Sequence, residues 1–239
     1  TSRGLGDVYK RQDFGADKKG KKDSSKAIQK ALDYAIDNGS NSVQIKVVVP
    51  KGKYRIDKLL EIYSNTWLYL EDGATIVRNF DKGCMIKNAQ ANGAGGYGSE
   101  RNIVIEGGCW DGNPSPTSRP FSNMRFGHMK NLWIKNVEIK NNYNGHHVEI
   151  GGVKGITIED CDFHGYTGTF QKEAIQLDTI SNSDVFPAYE PFDDTPCDNA
   201  VIKNNKFHDL IRGLGSHSAC LGVYYTNTCL LYTSPSPRD

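Results

Sequence analysis

Hydrophobic and polar residues follow two different periods along this chain. Between Asp23 and Gly39, apolar residues recur every three or four positions, which predicts an amphipathic α-helix. Asp23 or Ser24 can cap the start of this helix, and Gly39 can end it. The apolar residues of the helix are Ala27, Ile28, Ala31, Leu32, Ala35 and Ile36. Beyond Gly39, short runs rich in Val, Ile, Tyr and Thr alternate with Gly, Asn and Asp, which is typical of short β-strands joined by tight turns.

A repeat becomes visible when four of these segments are aligned without gaps. They begin at Asn102, Asn131, Gly155 and Asn199, at intervals of 29, 24 and 44 residues. The last interval contains an insertion at about Ser181 to Asp198. The first apolar column of the alignment is Ile105, Ile134, Ile158 and Ile202, the second is Ile103, Leu132, Ile156 and Ala200, and the third is Trp110, Ile139, Phe163 and Phe207. A unit of this length cannot bury its own apolar face, whereas stacked units bury it as one continuous core.

We therefore predict an all-β fold, a single-stranded parallel β-helix in which the N-terminal α-helix covers the first coil. Gly107, Asn136, Asp160 and Asn204 occupy one equivalent position in the four units, where the chain has to turn. Asn and Asp tolerate the left-handed backbone conformation that such turns use. The alternative is a β-sandwich with coincidental spacing, in which the three columns would not stack.

Composition argues against several classes of protein. The 239 residues carry a formal net charge of +1, so neither a nucleic-acid-binding surface nor an acidic tail is indicated. No apolar run approaches the roughly 18 residues of a membrane span. The cysteines form no CxxC pair, so we do not expect a zinc site, and we expect the following five to be buried as small hydrophobic residues: Cys84, Cys109, Cys161, Cys197 and Cys220.

The two ends of the chain differ from the repeats between them. Residues 1–12 and 229–239 resemble translated sequencing adaptors, one in each orientation. We therefore expect a β-helix domain at residues 13–228, truncated at its C-terminus, flanked by two artefactual segments.

The N-terminal part of the domain resembles a known superfamily. Asp13 to Asp17 and Asp23 to Ala31 resemble the N-terminal signature of the pectate lyase superfamily, and Pro50 to Ile56 resembles its first coil. Asn102 to Asn113 and Asn141 to Gly152 are similar to the polygalacturonase branch, glycoside hydrolase family 28. The resemblance implies a right-handed β-helix that acts on a uronic-acid-rich polysaccharide and is secreted or displayed at the surface of a bacterium.

The catalytic motifs of polygalacturonases are not preserved at the matching positions. That branch carries Asn-Thr-Asp, Asp-Asp and Gly-His-Gly on successive coils. This chain has Asn142-Tyr143-Asn144, Lys172-Glu173 and Ile211-Arg212-Gly213 in their place, so only Glu173 keeps a carboxyl group. The usual polygalacturonase mechanism therefore cannot be transferred to this chain.

Three consecutive stretches carry polar residues of catalytic type. They begin at Gly145, Lys172 and Arg212, and they stack when Val148, Ile175 and Leu214 point inward together. The side chains expected to face outward on one exposed strip are His147, Glu149, Gln176, Asp178 and His217, with Arg125 one coil below Glu149. We expect His146 to be a packed or turn histidine.

This strip supplies candidates for acid/base chemistry on a sugar. We assign catalytic candidates to Glu149, Glu173, Asp178, His147 and His217, and substrate-binding candidates to Arg125, Gln176, Arg212 and Tyr189. Glu149 and Asp178 lie one coil and two residues apart, so their Cα atoms should be about 8 Å apart, which permits the spacing of roughly 6.5–9.5 Å used by inverting glycosidases. A carboxyl group near another carboxylate should have a raised pKa, as a general acid requires.

The insertion at Ser181 to Asp198 adds further candidates. Phe186, Tyr189 and Phe192 could stack on sugar rings. The carboxylates of Glu190, Asp193 and Asp194 could bind Ca²⁺, the one cofactor that the sequence suggests.

Three functions remain open at this stage. The first is a glycoside hydrolase acting on a polysaccharide that contains uronic acid. The second is a polysaccharide lyase or epimerase, which abstracts the C5 proton and forms unsaturated uronate in the lyase case. The third is a non-catalytic carbohydrate-binding or tailspike-like module.

Overall fold

The computed structural model describes residues 5–10, 14–90, 93–187, 189–216, 218, 221–226 and 229–230. It contains one α-helix and 20 β-strands. The elements are β1 Leu5–Lys10, β2 Lys19–Asp23, α1 Ser25–Asn38, β3 Gln44–Val49, β4 Gly52–Ile56, β5 Leu60–Ile62, β6 Thr66–Leu70, β7 Ala74–Arg78, β8 Ile86–Asn88, β9 Glu100–Glu106, β10 Cys109–Asp111, β11 Met124–Lys135, β12 Glu138–Tyr143, β13 Val148–Glu159, β14 Asp162–Thr167, β15 Glu173–Asp178, β16 Asp198–Lys203, β17 Lys206–His208, β18 Arg212–Gly215, β19 Leu221–Thr226 and β20 Cys229–Leu230. Within these described residues, no helix combines the length and the apolar character needed to cross a bilayer.

The strands pair in parallel with the equivalent strands of the coils above and below, and they form three faces of a right-handed β-helix. The cleft face contains β5, β8, β15, β18 and the first halves of β11 and β13. The second face contains β3, β6, β9, β16, β19 and the second halves of β11 and β13. The third face is the sheet of β2, β4, β7, β10, β12, β14, β17 and β20. Strand β1 lies within residues 1–12, the segment that resembles a sequencing adaptor, and pairs with β3.

Two long strands turn the corner between the cleft face and the second face. β11 and β13 each have 12 residues and each contain one residue with positive φ, His128 at 51° and Gly152 at 57°. These two residues occupy equivalent positions, because Gly127 pairs with Gly151 and Met129 pairs with Val153. The left-handed residue therefore bends both strands at the same level and separates the two faces.

Helix α1 packs at the N-terminal end of the solenoid against β3, β5 and β6. Four of the predicted apolar residues are buried there: Ile28, Ala31, Leu32 and Ala35. Ile36 instead is 53% exposed, because it lies beyond the edge of the buried face. At the start of the helix the Asp23 carboxylate accepts a hydrogen bond from the Ser25 backbone N–H at 2.8 Å, whereas the Ser24 side chain makes no capping bond.

The three predicted apolar columns are confirmed. Ile134 pairs with Ile105 and Ile158, and Ile158 pairs with Ile202. The columns headed by Ile103 and Trp110 also stack in the predicted register. All twelve side chains belong to one buried core. A β-sandwich is thereby excluded, since the partners lie on parallel strands of successive coils.

The predicted turn residues adopt the left-handed conformation, with φ of 77° at Gly107, 54° at Asn136, 55° at Asp160 and 57° at Asn204. These positions select Gly, Asn or Asp because a β-carbon is strained there. Four of the five cysteines that we expected to be buried, Cys84, Cys109, Cys161 and Cys197, are buried free thiols. Cys220 lies outside the described residues.

The turn at Asn136 offers a direct test of this backbone requirement. Replacing Asn136 by Val should lower the free energy of unfolding by about 1–2 kcal/mol, because a β-branched residue is strained at positive φ. Asn136→Gly should change it by less than about 0.5 kcal/mol, since Gly adopts this conformation freely. Urea unfolding of the two variants measures the difference. Equal losses in both variants would show that the Asn side chain matters more than φ.

Candidate functional site

A cleft of about 340 Å³ opens on the cleft face, beside the insertion that follows β15. Several predicted site residues line it together with residues of two loops. Its lining residues are Pro120, Phe121, Ser122, Arg125, Asn144, His146, Glu149, Lys172, Gln176, Asp184, Val185 and Pro187. The sequence-based site and the cleft therefore coincide at Arg125, Glu149 and Gln176.

One column of outward side chains crosses the cleft face. Its members in register are Glu61, Lys87, Arg125, Glu149 and Gln176. The predicted position of Arg125 beneath Glu149 is confirmed, and the two form an ion pair with 2.7 Å between Nη2 and Oε2. Because this pair is at the floor of the cleft, its side chains are 18% and 5% exposed.

The hydrogen bonds to Glu149 all converge on one oxygen. Arg125 donates from Nε at 2.8 Å and from Nη2 at 2.7 Å, and Ser122 donates its hydroxyl at 2.6 Å, in each case to Oε2. None of the described residues donates to Oε1. Glu149 thus has one oxygen fixed by the protein and one available to the cleft.

The protonation state of Glu149 follows from two opposing effects. Burial raises the pKa of its carboxyl group, but the positive charge of Arg125, assisted by His146 and Ser122, outweighs burial and lowers this pKa below the usual value. The expectation of a raised pKa is therefore wrong for Glu149. Glu149 is a carboxylate at neutral pH, suited to accept a proton or to activate water.

His146, which we expected to be a packed or turn histidine, is buried and also lines the cleft. Its Nδ1 donates to the carbonyl oxygen of Glu173 at 2.8 Å, so the lone pair of the neutral ring is on Nε2. Burial lowers the pKa of His146, although the nearby carboxylate of Glu149 opposes this shift. A neutral imidazole therefore lies beside an ionised carboxylate in the cleft wall. A signal that could have found it is the pair of histidines directly before the strand.

His147 does not face outward as predicted. It is fully buried, its ring meets Phe163 edge-on at 6.2 Å, and its Nε2 donates to the His164 carbonyl oxygen at 2.9 Å. The prediction was wrong because strand alternation begins only at Val148, where β13 starts. His147 is a core residue without access to the cleft.

Burial of His147 predicts an acid-sensitive fold. Burial lowers its pKa from 6.5 to about 4, so between these values the unfolded chain binds a proton that the folded chain does not. The free energy of unfolding should consequently fall as the pH drops from 6.5 towards 4, by about 3 kcal/mol in total for this group. Urea unfolding at several pH values should show this slope, and His147→Leu should reduce it. An unchanged slope in His147→Leu would assign the acid sensitivity to other groups.

The two remaining carboxyl candidates lie deeper than predicted. Asp178 pairs with Gly151 and is therefore diagonal to Glu149 as expected, but it is fully buried. Its carboxylate accepts hydrogen bonds from Gln176 and from the hydroxyls of Ser216 and Ser218. The predicted exposed strip is thus correct in register, but at Asp178 it is buried instead of exposed.

Glu173 and Arg212 form a second ionic contact next to the cleft. Arg212 lies in register with Glu173 and donates to Oε1 at 3.3 Å. The other oxygen of Glu173 is buried without a hydrogen-bond partner among the described residues, and it is 4.0 Å from His146 Nδ1. His217, the remaining catalytic candidate, lies outside the described residues.

The insertion closes the upper part of the cleft face instead of offering aromatic rings to a ligand. Tyr189 and Phe186 are fully buried and pack over the backbones of Gly127 and Gly151. The Tyr189 hydroxyl also donates to Asn88 Oδ1 at 2.9 Å. The predicted sugar-stacking role of Phe186 and substrate-binding role of Tyr189 are therefore wrong, because both rings are buried against the sheet.

The glycine under Phe186 should be required for this closure. A β-carbon at residue 151 would be 2.8 Å from the Phe186 ring, which is closer than such contacts allow. We expect Gly151→Ala to lower the free energy of unfolding by about 1–3 kcal/mol and to expose the insertion to proteases. Limited proteolysis and urea unfolding measure both effects. In Gly151→Ala/Phe186→Ala the loss should be smaller than the sum of the single losses, and strict additivity would contradict the contact.

The acidic residues of the insertion do not converge on a cation site. The Asp193 carboxylate accepts hydrogen bonds from the Gly96 backbone N–H at 2.6 Å and from both the N–H and the hydroxyl of Thr195. Glu190 and Asp194 do not join it in a metal-binding geometry, and the sole such cluster within the described ranges is on the third face. Asp193 thus anchors the insertion to the loop before β9.

A larger groove of about 510 Å³ lies on the second face, beside Trp67 and Trp133. Its described lining contains amide, hydroxyl, lysine and apolar groups, with no carboxylate or imidazole. It therefore lacks the carboxylates and imidazoles that the cleft provides, and the cleft is the candidate catalytic site.

The comparisons with known proteins agree with the architecture. A family model described as rhamnogalacturonase A/epimerase, pectate lyase-like, matches residues 9–214. The chain is similar to the plasmin and fibronectin-binding protein A of Streptococcus pneumoniae (strain ATCC BAA-255 / R6), at 27% identity over 250 residues, which cover 89% of this chain and 33% of the relative. The chain thus spans about a third of the length of that curated relative.

Solved structures give the same fold. The structure of the Streptococcus pneumoniae surface protein and adhesin PfbA superposes with a TM-score of 0.79 at 22% identity, over 93% of this chain and 61% of that chain. A family 28 exopolygalacturonase from Yersinia enterocolitica superposes with a TM-score of 0.71 at 15% identity, over 94% of this chain and 49% of that chain. At these identities the likeness establishes the β-helix architecture.

Proposed function

Because the chain belongs to the rhamnogalacturonase A/epimerase, pectate lyase-like family, we propose that its cleft binds a uronic-acid-containing polysaccharide and hydrolyses a glycosidic bond by carboxylate acid/base catalysis. The observation that carries this proposal is the state of Glu149. Its carboxylate is kept ionised by Arg125, and one oxygen is left without a protein donor at the floor of the cleft. Such a group is suited to activate water as a general base.

Glu173 is the second carboxyl group of this proposal. The register pairs Glu149 with Gln176, so the Cα atoms of Glu149 and Glu173 are roughly 11 Å apart, by strand geometry. Inverting glycosidases hold their carboxyl groups roughly 6.5–9.5 Å apart, so this role requires the Glu173 carboxyl group, which lies 4.0 Å from His146 Nδ1 and outside the cleft lining, to turn towards Glu149 when a substrate binds. Asp178 and His147, both fully buried, have no part in this mechanism.

Cationic groups favour an acidic substrate. Lys172 lines the wall of the cleft without an ion pair to any described residue, whereas the charge of Arg125 at the floor is matched by Glu149. The ammonium group of Lys172 can therefore attract the carboxylate of a uronic acid residue. Gln176, also in the lining, can bind sugar hydroxyl groups.

A polysaccharide panel tests the proposed hydrolysis. The protein is incubated with polygalacturonate, rhamnogalacturonan and alginate, and both reducing ends and the ultraviolet absorbance of unsaturated uronate are measured. Hydrolysis releases reducing ends without unsaturation. If every polymer in the panel remained intact while still binding the protein, the hydrolase proposal would be rejected.

A second candidate function, uronan lyase or epimerase, is favoured by His146. Its neutral ring carries a lone pair and shares the cleft lining with Lys172, and a base together with a cation is what abstraction of a C5 proton from a uronate needs. Unsaturated products would identify a lyase. Incorporation of solvent deuterium at C5 without chain cleavage would identify an epimerase.

A binding function without catalysis is supported by the relative from Streptococcus pneumoniae, which is named for binding plasmin and fibronectin and described as a surface adhesin. That relationship also supports display at the cell surface or secretion. Retention on a polysaccharide or protein matrix that is unchanged in Glu149→Gln, with no product from the panel, would favour this role.

A further inference from the structure

A second cluster of reactive side chains lies on the third face, separate from the cleft. His164 on β14 pairs in register with His208 on β17, and their rings stack with centroids 4.6 Å apart and planes 10° apart. Asp162 precedes His164 by two residues on β14, so its side chain points to the same side of the sheet. All three side chains are half-buried and accessible from solvent.

Carboxylates fix the orientation of both rings. His208 Nε2 is 2.9 Å from Asp162 Oδ1, and His164 Nε2 is 3.0 Å from Glu138 Oε1. Each imidazole therefore interacts with a carboxylate of the preceding coil. The possible ligand atoms of Asp162, His164 and His208 all lie within 4.8 Å of one another.

We propose that Asp162, His164 and His208 bind a divalent transition metal of the Zn²⁺ class. Two imidazoles and one carboxylate are a ligand set that such ions prefer, and water or Glu138 supplies the fourth position. Metal–nitrogen bonds of about 2.0–2.1 Å require the rings to tilt towards each other, which half-buried side chains at a sheet surface can do. An imidazole binds the metal through the lone pair of one nitrogen and keeps a proton on the other, so a proton is released to solvent only from a histidine that was positively charged before binding.

This arrangement could not be inferred from motif spacing. His164 and His208 are 44 residues apart, and Asp162 joins them because the insertion after β15 leaves the stacking of β14 on β17 intact. The missing CxxC pairs led us to expect no zinc site, and the present proposal departs from that expectation because its ligands are histidine and carboxylate groups instead of cysteines. A metal here would join two successive coils, and since the unfolded chain lacks this arrangement, binding would stabilise the fold.

Calorimetric titration of the tag-free, EDTA-treated and dialysed protein with ZnCl₂ tests the proposal. We expect one Zn²⁺ per chain and a rise in melting temperature that EDTA reverses. His164→Gln and His208→Gln should each weaken the affinity at least about tenfold, because each removes one of three protein ligands. CaCl₂ and MgCl₂ should give no comparable binding, since imidazole ligands disfavour these ions.

Cys109→Ser is the matched control, because this buried thiol lies near Glu138 but outside the proposed ligand set. It should keep Zn²⁺ binding. Absence of saturable Zn²⁺ binding, or affinities in folded His164→Gln and His208→Gln equal to that of the parent, would overturn the proposal, as would loss of binding in Cys109→Ser. Circular dichroism verifies that each variant is folded. The result is independent of whether the cleft hydrolyses a polysaccharide.

Discussion

Glu149→Gln is expected to lower the rate of polysaccharide cleavage by about 10²–10⁴-fold, the usual contribution of a positioned general base. Gln has nearly the shape of Glu and can still accept hydrogen bonds from Arg125 and Ser122 through its amide oxygen. The lost property is therefore the negative charge on the oxygen that faces the cleft. Initial rates of reducing-end release, measured on the polymer that the parent protein cleaves, test this expectation.

Glu106→Gln provides the control for this experiment. Glu106 is also a partly buried glutamate on the β-helix and forms an ion pair with Lys135 at 3.3 Å, but it belongs to the second face. Its substitution should leave the cleavage rate within about twofold, because no reacting group is near. If Glu149→Gln retained the full rate, Glu149 would not be the base, and His146 would become the first alternative to test.

Arg125→Met is expected to lower the free energy of unfolding by about 3–5 kcal/mol at neutral pH. The substitution leaves the Glu149 carboxylate, 5% exposed, at the floor of the cleft without its partner. In this variant the pKa of Glu149 should be raised, because burial then acts without the opposing charge. The stability deficit of this variant relative to the parent protein should consequently shrink on acidification, while the loss caused by His147 is common to both proteins. Urea unfolding at pH 7 and at lower pH measures both effects.

Lys87→Met is a matched control from the same column of side chains. Its partner Glu61 is 41% exposed and lies at 3.2 Å, so loss of this exposed ion pair should cost less than about 1 kcal/mol. Arg125→Met/Glu149→Leu should be more stable than Arg125→Met alone, since both charges are then removed. Equal costs for Arg125→Met and Lys87→Met would show that burial does not strengthen the Arg125–Glu149 interaction.

The sequence predicted the stacking of the coils well because one physical requirement repeats at every coil. Ile134, Ile158 and Ile202 had to be inward and in register, since no single coil can bury its own apolar side. The same register predicted the contact of Arg125 with Glu149. Asn136 and Asp160 marked the turns because so few residues tolerate positive φ.

The candidate site was predicted less well, because it depends on segments outside the repeat. Strand alternation predicted that His147 faces outward, but alternation does not apply to the residues before β13 begins at Val148. His146 is the histidine that lines the cleft. The insertion has no period, so its packing over the strip could not be inferred. Tyr189 and Phe186 therefore appeared as ligand-binding residues although they are buried.

Gly127 and Gly151 explain why this β-helix has a short cleft instead of a groove that runs along the whole cleft face. Where both strands lack side chains, aromatic residues of the insertion lie directly on the sheet. A longer or shorter cleft would thus require a different insertion loop and different residues at positions 127 and 151, while every coil stays in place. Proteins of this architecture can in this way acquire new ligand lengths without any change in the core that folds them.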